Sequence, residues 1–152
     1  MEFLPRSEVL TIEELLRTAR LFTELGVRKI RVTGGEPLIR RGVNELFEGL
    51  GSLAGLETLA LTTNGSHLAD SGHALRKAGV NSLNISLDSL HSDRFRAITR
   101  IGDLDTVLRG IDRAIDCGFE RIRLNAVILD GLNRDEVVPL TQYALDLSLI
   151  HI

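Results

Sequence analysis

The sequence predicts an α/β fold built on a parallel sheet. Two observations carry this reading: strand-like segments recur at near-regular intervals, and amphipathic helical stretches fill the gaps between them. Strand starts fall near Arg28, Glu57, Ser82 and Arg121, which are 29, 25 and 39 residues apart, close to the roughly 30 residues of one βα unit. Strands joined through helices run parallel, because a helical crossover returns the chain to the same end of the sheet. A third observation sets the scale: 152 residues, 43% of them hydrophobic and 26% charged, suffice for one core in one domain. Right-handed crossovers could curl such a sheet towards a barrel or leave it doubly wound, and periodicity alone does not choose.

The elements follow in order. Thr11 and Glu14 form a capping box, and Ile12, Leu15, Leu16, Ala19, Phe22 and Leu25 continue at helical spacing until Gly26. Arg28 to Thr33 alternates as a strand, and beyond Gly34-Gly35 a second apolar helix face appears in Val43, Leu46, Phe47 and Leu50. After the strand near Glu57 the stretch Leu68–Ala78 reads as a weaker helix, interrupted at Ser71-Gly72. The helix after Asp103 is strongly periodic in Val107, Leu108, Ile111, Ala114 and Ile115, and ends at Gly118. Asn133 and Glu136 read as the opening of a last helix that places Pro139 in its interior, where proline costs about 3 kcal/mol. No glycine stops that helix before Leu147, so residues 147–152 form a tail of uncertain meaning, a clipped strand or a read-through.

Several function classes are excluded. A net charge of -3 argues against general nucleic-acid binding. No apolar run approaches the roughly 18 residues that span a bilayer, and no signal-like segment follows Met1, so a cytoplasmic location is expected. Cys117, the one cysteine, cannot form an internal disulfide, and alone it holds neither zinc nor an iron–sulfur cluster; no metal ligands are assigned. His67, His73, His91 and His151 are scattered singly and read as surface residues.

One feature of the strands does not fit a sheet buried on both faces, whose strands read as near-continuous apolar runs. Alternate residues give one apolar face: Ile30, Val32, Leu59, Leu61, Leu83, Ile85, Leu87, Ile122 and Leu124. The other face carries Arg31 and Thr33, Thr62 and Asn64, Asn84, Ser86 and Asp88, then Arg123 and Asn125, towards the C-terminal strand ends where βα folds bind ligands. An uncovered half-barrel face would explain one such strand. Four in one register, with two arginines among them, point to a polar ligand site suited to an anion such as a phosphate ester.

The segment Arg28 to Pro37 ends in Gly34-Gly35-Glu36-Pro37 and resembles the strand and turn of radical S-adenosylmethionine enzymes. Glycines there let a ligand's ammonium approach the backbone, and proline fixes the exit of the turn. Thr62-Thr63-Asn64-Gly65, Asn84-Ile85-Ser86-Leu87-Asp88-Ser89 and Arg123-Leu124-Asn125-Ala126-Val127 follow in order, and together the four segments resemble the GTP 3',8-cyclase family. Arg94-Phe95, Ile98-Thr99, Gly102-Asp103-Leu104-Asp105 and Gly110-Ile111-Asp112 are similar to it as well. The resemblance implies a partial (β/α) barrel of the TIM type with parallel strands, truncated at both ends, in which residues 1–146 are part of the radical S-adenosylmethionine core.

The resemblance also implies roles. Gly34, Gly35, Glu36 and Pro37, with Ser86, would hold S-adenosylmethionine; Arg31, Thr62 and Arg123 would hold GTP. The family carries a lysine where this chain has Arg123, which keeps the charge and replaces a compact ammonium with a planar fork. The implied reaction belongs to molybdenum-cofactor biosynthesis: a 5'-deoxyadenosyl radical takes hydrogen from C3' of GTP, and the substrate radical closes on C8, giving 3',8-cyclo-7,8-dihydro-GTP. The family's 4Fe-4S clusters hang from a Cys-x3-Cys-x2-Cys loop on a first strand and from a C-terminal region, and neither set of ligands is in this sequence. Met1 to Pro5 looks like the loop just beyond the first set, so no catalytic residue is assigned and the chain alone is expected to be inactive. Unpaired sheet edges lead to an expectation of self-association. Two other readings share parts of this pattern, a peptide-modifying radical enzyme and an aldolase-like phosphate-binding barrel.

Overall fold

The computed structural model describes residues 9–151 as five parallel strands with helices between them. In chain order these are α1 (Ile12–Glu24), β1 (Lys29–Val32), α2 (Val43–Gly51), β2 (Thr58–Thr63), α3 (Leu68–Lys77), β3 (Ser82–Ser86), α4 (Ser92–Thr99), α5 (Leu104–Asp116), β4 (Arg121–Asn125), α6 (Val137–Asp146) and β5 (Ile150–His151). The strands lie side by side in the order β1-β2-β3-β4-β5. This order separates the two windings that periodicity left open. A doubly wound sheet reverses direction at a switch point, whereas here every crossover steps the same way, as in the wall of a (β/α) barrel.

The register shows which side chains share a face. Ile30 pairs with Leu59, Leu61 with Leu83, and Ile85 with Leu124, so the apolar residues form continuous rows across the strands. Leu59, Leu61, Leu83, Ile85, Leu87, Ile122 and Leu124 are buried in one core with Phe47, Leu68, Leu75, Phe95, Val107 and Ile111 from the helices. Burying such side chains contributes about 1.5–3 kcal/mol each and holds the helix layer to this face.

Local chemistry sets most boundaries. The capping box on α1 is present in both directions: Glu14 N–H donates to Thr11 Oγ1 (3.2 Å), and Thr11 N–H donates to the Glu14 carboxylate (2.8 Å). Asp103 caps α5 by accepting from Thr106 N–H at 2.8 Å. Gly26 and Gly118, with φ of +95° and +69°, end the runs before β1 and β4.

Three expectations are corrected. First, α3 passes through Ser71-Gly72 without a break. Gly72 is buried, and a Cβ there would lie 3.5 Å from Cys117 Sγ and 3.6 Å from Arg113 Cγ; this glycine is a point of close approach between α3 and the end of α5. Second, α4 is a helix of its own, which the sequence pattern had not marked because only Phe95 among its residues is buried. Third, Asn133 and Glu136 form no capping box. Arg134–Glu136 is a 3-10 turn, and α6 starts at Val137, so Pro139 lies in the first helical turn, where its missing N–H has no intrahelical acceptor to lose. At the other end Ser148 takes a left-handed conformation (φ +54°) in the place a glycine would usually fill. The chain then enters β5, where Ile150 and His151 pair with Arg123 and Leu124. Residues 1–5, read above as a loop segment, lie outside the described residues.

One contact gives a direct test of packing. A Cβ on Gly51, at the end of α2, would sit 1.9 Å from the Ala78 carbonyl oxygen. Alanine normally favours a helix over glycine by roughly 0.5–1 kcal/mol. Here the backbone clash dominates, and Gly51→Ala is expected to destabilise the fold by about 2 kcal/mol, within the usual range for overpacking. Denaturant unfolding would check this, and an unchanged or raised midpoint would contradict the packing of α2 on the α3–β3 turn.

Candidate functional site

The face opposite the core is built by strand parity. Arg31, Thr62, Asn84, Ser86 and Arg123 occupy the alternate positions and are partly exposed, while their chain neighbours Leu61, Thr63, Leu83, Ile85, Leu87, Ile122 and Leu124 are buried. Thr62, Asn84 and Arg123 are in register across β2, β3 and β4. One residue pair further up β3 and β4, Ser86 lies beside Asn125. Arg31 reaches from β1 to β2, donating from Nη1 to Thr62 Oγ1 at 3.2 Å. Thr33, Asn64 and Asn125 at the strand ends are exposed.

The turn after β1 divides into an open part and an anchored part. Nothing lies within 4 Å of a Cβ placed on Gly34 or Gly35, so both glycines present bare backbone to open space. Pro37 is buried, and Glu36 is tied down. Its carboxylate accepts from Leu38 N–H (3.1 Å), from the Thr63 hydroxyl (2.9 and 3.0 Å) and from Asn64 N–H (2.7 Å). The Thr63 hydroxyl in turn accepts from Gly65 N–H at 3.1 Å. Glu36 therefore clasps the end of β2 and fixes the glycine turn relative to Thr62.

A second clasp of the same design stands on the other side of the face. Glu136 is 1% exposed, and its carboxylate accepts from the Ser89 hydroxyl (2.8 and 3.0 Å), Leu90 N–H (2.7 Å) and Arg94 Nη1 (3.1 Å). Ser89 Oγ accepts from His91 N–H at 3.0 Å, as Thr63 does from Gly65. Burial works to raise the Glu136 pKa, but the Leu90 amide, the Ser89 hydroxyl and Arg94 outweigh it and hold the carboxyl below its ordinary value. Fully buried Asn133 adds further ties: it accepts from Leu129 N–H (2.7 Å) and donates to the carbonyls of Asp88 (2.6 Å) and Val127 (2.9 Å). Asp88 accepts from Val127 N–H at 2.8 Å. Together these bonds lock the loop after β4 onto the loop after β3. Glu136 and Asn133 were missed as site-forming residues because their spacing imitates a helix start; the Ser89-Leu90 pair, which repeats the Thr63-Asn64 arrangement, is the signal that could have found them.

The residues fit S-adenosylmethionine in one respect: the open backbone of Gly34 and Gly35 lets a ligand's ammonium or carboxylate approach closely. They do not fit an iron–sulfur cluster. Cys117 is the only cysteine in the sequence and packs partly buried against the helix core, and among the described residues no group of three or more His, Cys, Asp or Glu could hold a metal ion. His67, His73 and His91 are exposed. No helix among the described residues is long and apolar enough to cross a membrane. A cavity of about 340 Å³ lies between α1, α2 and β1, lined largely by Leu15, Ala19, Phe22, Ile30, Val32, Val43, Leu46 and Leu50, with Arg31 and Thr33 of β1 also at its wall.

Comparison with known proteins bears on the family of the chain. The model of the radical SAM superfamily matches residues 2–144. The chain is 54% identical to a GTP 3',8-cyclase of Pseudomonas entomophila over 149 residues, 98% of this chain and 45% of that relative. It is 55% identical to GTP 3',8-cyclase 1 of Pseudomonas aeruginosa, over 99% of this chain and 47% of the relative, and 51% identical to a GTP 3',8-cyclase of Saccharophagus degradans, over 96% and 44%. The chain thus spans a little under half the length of these curated relatives. With a family match over nearly its whole length and a sheet wound like a (β/α) barrel wall, the chain belongs to the radical SAM superfamily.

Proposed function

We propose that this chain forms the part of a GTP 3',8-cyclase that holds the nucleotide and the methionyl end of S-adenosylmethionine, for the conversion of GTP to 3',8-cyclo-7,8-dihydro-GTP in molybdenum-cofactor biosynthesis. The observation that carries the proposal is the placement of Arg31, hydrogen-bonded to Thr62, and Arg123 on one uncovered polar face of the sheet. Two guanidinium groups there supply the charge a triphosphate needs, and Thr62 orients one of them. Gly34 and Gly35 offer backbone groups to the cofactor's ammonium and carboxylate, with Ser86 as a hydroxyl partner. Bound S-adenosylmethionine supplies the hydrogen-abstracting chemistry; the residues of this chain hold C3' of the ribose in reach of it and keep the phosphates fixed. The cytoplasm, where GTP is made and used, is the proposed compartment.

The arginines favour this reading over a peptide-modifying enzyme, whose substrate gives no reason for two cations on the face. An aldolase-like barrel would need a lysine or a free carboxylate pair at the strand ends. Lys29 stands at the start of β1 and Lys77 at the end of α3, and Asp88 is engaged by the Val127 amide. The test is an anaerobic assay of the full-length protein carrying this chain, reconstituted with iron and sulfide and supplied with reductant, S-adenosylmethionine and GTP. The expected result is 5'-deoxyadenosine and cyclised guanosine nucleotide in equal amounts. Formation of 5'-deoxyadenosine that ignores GTP and requires a peptide would overturn it.

The 152 residues alone should behave differently. With Cys117 as the only thiol, the isolated chain is expected to bind no 4Fe-4S cluster after reconstitution. It should also self-associate, because among the described residues β1 ends the sheet with one edge unpaired beside an apolar groove. Light scattering and iron analysis of the purified chain check both. A monodisperse monomer, or one carrying stoichiometric cluster absorbance, would contradict the account.

A further inference from the structure

The row Thr62, Asn84, Arg123 holds two polar atoms that nothing in the protein satisfies. Asn84 Oδ1 and Arg123 Nε are buried and have no hydrogen-bond partner, whereas Thr62 in the same row accepts from Arg31. Asn84 and Arg123 are direct neighbours in register on β3 and β4, so their backbones lie about 4.8 Å apart. An unpartnered buried donor or acceptor is costly, and two side by side on the ligand-facing side of a sheet define what can join them. Asn84 Oδ1 only accepts; Arg123 Nε only donates. A phosphate oxygen could take the arginine proton but has none to give to the asparagine. An ammonium has the opposite defect. A hydroxyl accepts with its oxygen and donates with its hydrogen, and so answers both at once.

We propose that Asn84 and Arg123 Nε recognise a ribose hydroxyl of the bound nucleotide, leaving the terminal nitrogens of Arg123 for the phosphates. This rests on the GTP reading above and deepens it, adding Asn84 as a substrate-positioning residue and giving Arg123 a second role. A lysine at position 123 would offer only its terminal ammonium and no donor midway along its stem, so the hydroxyl contact depends on the arginine that this chain carries.

The experiment is calorimetric titration of the full-length protein with GTP, 2'-deoxyGTP and 3'-deoxyGTP, without turnover. The unaltered protein is expected to bind one of the deoxy nucleotides about ten- to hundredfold more weakly than GTP, the effect of losing a hydrogen bond to a charged group. Asn84→Leu should narrow the gap between GTP and that analogue and leave the analogue's own affinity unchanged. Arg123→Lys should also narrow the ratio between the two while still binding both, and it keeps the test open if Asn84→Leu does not fold. The inference is overturned if either variant, folded by its thermal transition, keeps the full ratio, as a bridging water would allow. It is overturned equally if Asn84→Leu weakens all three nucleotides alike, which would mark a phosphate contact. Absence of any GTP binding by the unaltered protein would overturn the GTP reading itself, and this inference with it.

Discussion

Glu136→Ala is expected to lower stability by about 3 kcal/mol at neutral pH. The carboxylate is buried and accepts from a hydroxyl, a backbone amide and a guanidinium. Its removal leaves the Leu90 amide short of a partner and the Ser89 hydroxyl with only the longer bond to the His91 carbonyl (3.2 Å), where an unsatisfied buried group costs about 1–3 kcal/mol. Arg94 keeps Asp135, bonded at 2.8 Å on the protein surface, and so loses less. The effect depends on pH in a definite direction. The folded-state pKa of Glu136 lies below its ordinary value, so the unfolded chain binds the proton more tightly than the native one. The charged carboxylate's extra stabilisation is therefore fully present above the ordinary glutamate range, near pH 4.3, and fades as the pH falls through the lower folded value. Urea unfolding at pH 7 and at decreasing pH should show the parent and the variant converging. A gap that is small at pH 7, or that widens on acidification, would show that the clasp does not hold the loop after β4.

The second large effect concerns ligand binding. In the full-length protein, Arg31→Ala and Arg123→Ala should each weaken GTP binding by about 10- to 100-fold, since a hydrogen bond to a charged group contributes roughly 1.5–3 kcal/mol. For Arg31 the loss should exceed that of Thr62→Val, which removes only the group that orients the guanidinium. Lys77→Ala, at the exposed end of α3, removes the same formal charge far from the polar face and should change little. Equal losses for Lys77→Ala and Arg31→Ala would mean that net charge, and not the site, attracts the nucleotide.

Much of the fold was legible because it rests on short-range periodicity. Two-residue alternation placed Arg31, Thr62, Ser86 and Arg123 opposite Leu61, Ile85 and Leu124, and each of the first four strands begins within a residue of where the pattern put it. Thr11 and Glu14 announced α1 because both halves of a capping box lie within one turn. Winding was not legible from periodicity: strand order depends on which neighbour each crossover reaches, and that is a property of the whole sheet. The second clasp was hidden for a related reason. Asn133 and Glu136 satisfy a local pattern for a helix start, yet their partners Asp88, Ser89 and Leu90 stand about 45 residues away, and these long-range bonds win because they satisfy buried backbone groups. Gly72 misled in the same way, since the close neighbour that makes it useful is on α5's end, not in α3. The Glu36 clasp shows how far the tetrapeptide alone could be read: its glycines look like a ligand turn, but the attachment of its carboxylate to Thr63 and Asn64 appears only once β1 and β2 are side by side.

The most direct test of the central claim is a crystal structure of the full-length protein bound to GTP and S-adenosylmethionine. The account predicts triphosphate density against the guanidinium groups of Arg31 and Arg123, and the methionyl group of the cofactor at Gly34-Gly35 near Ser86. Nucleotide density away from both arginines would contradict it.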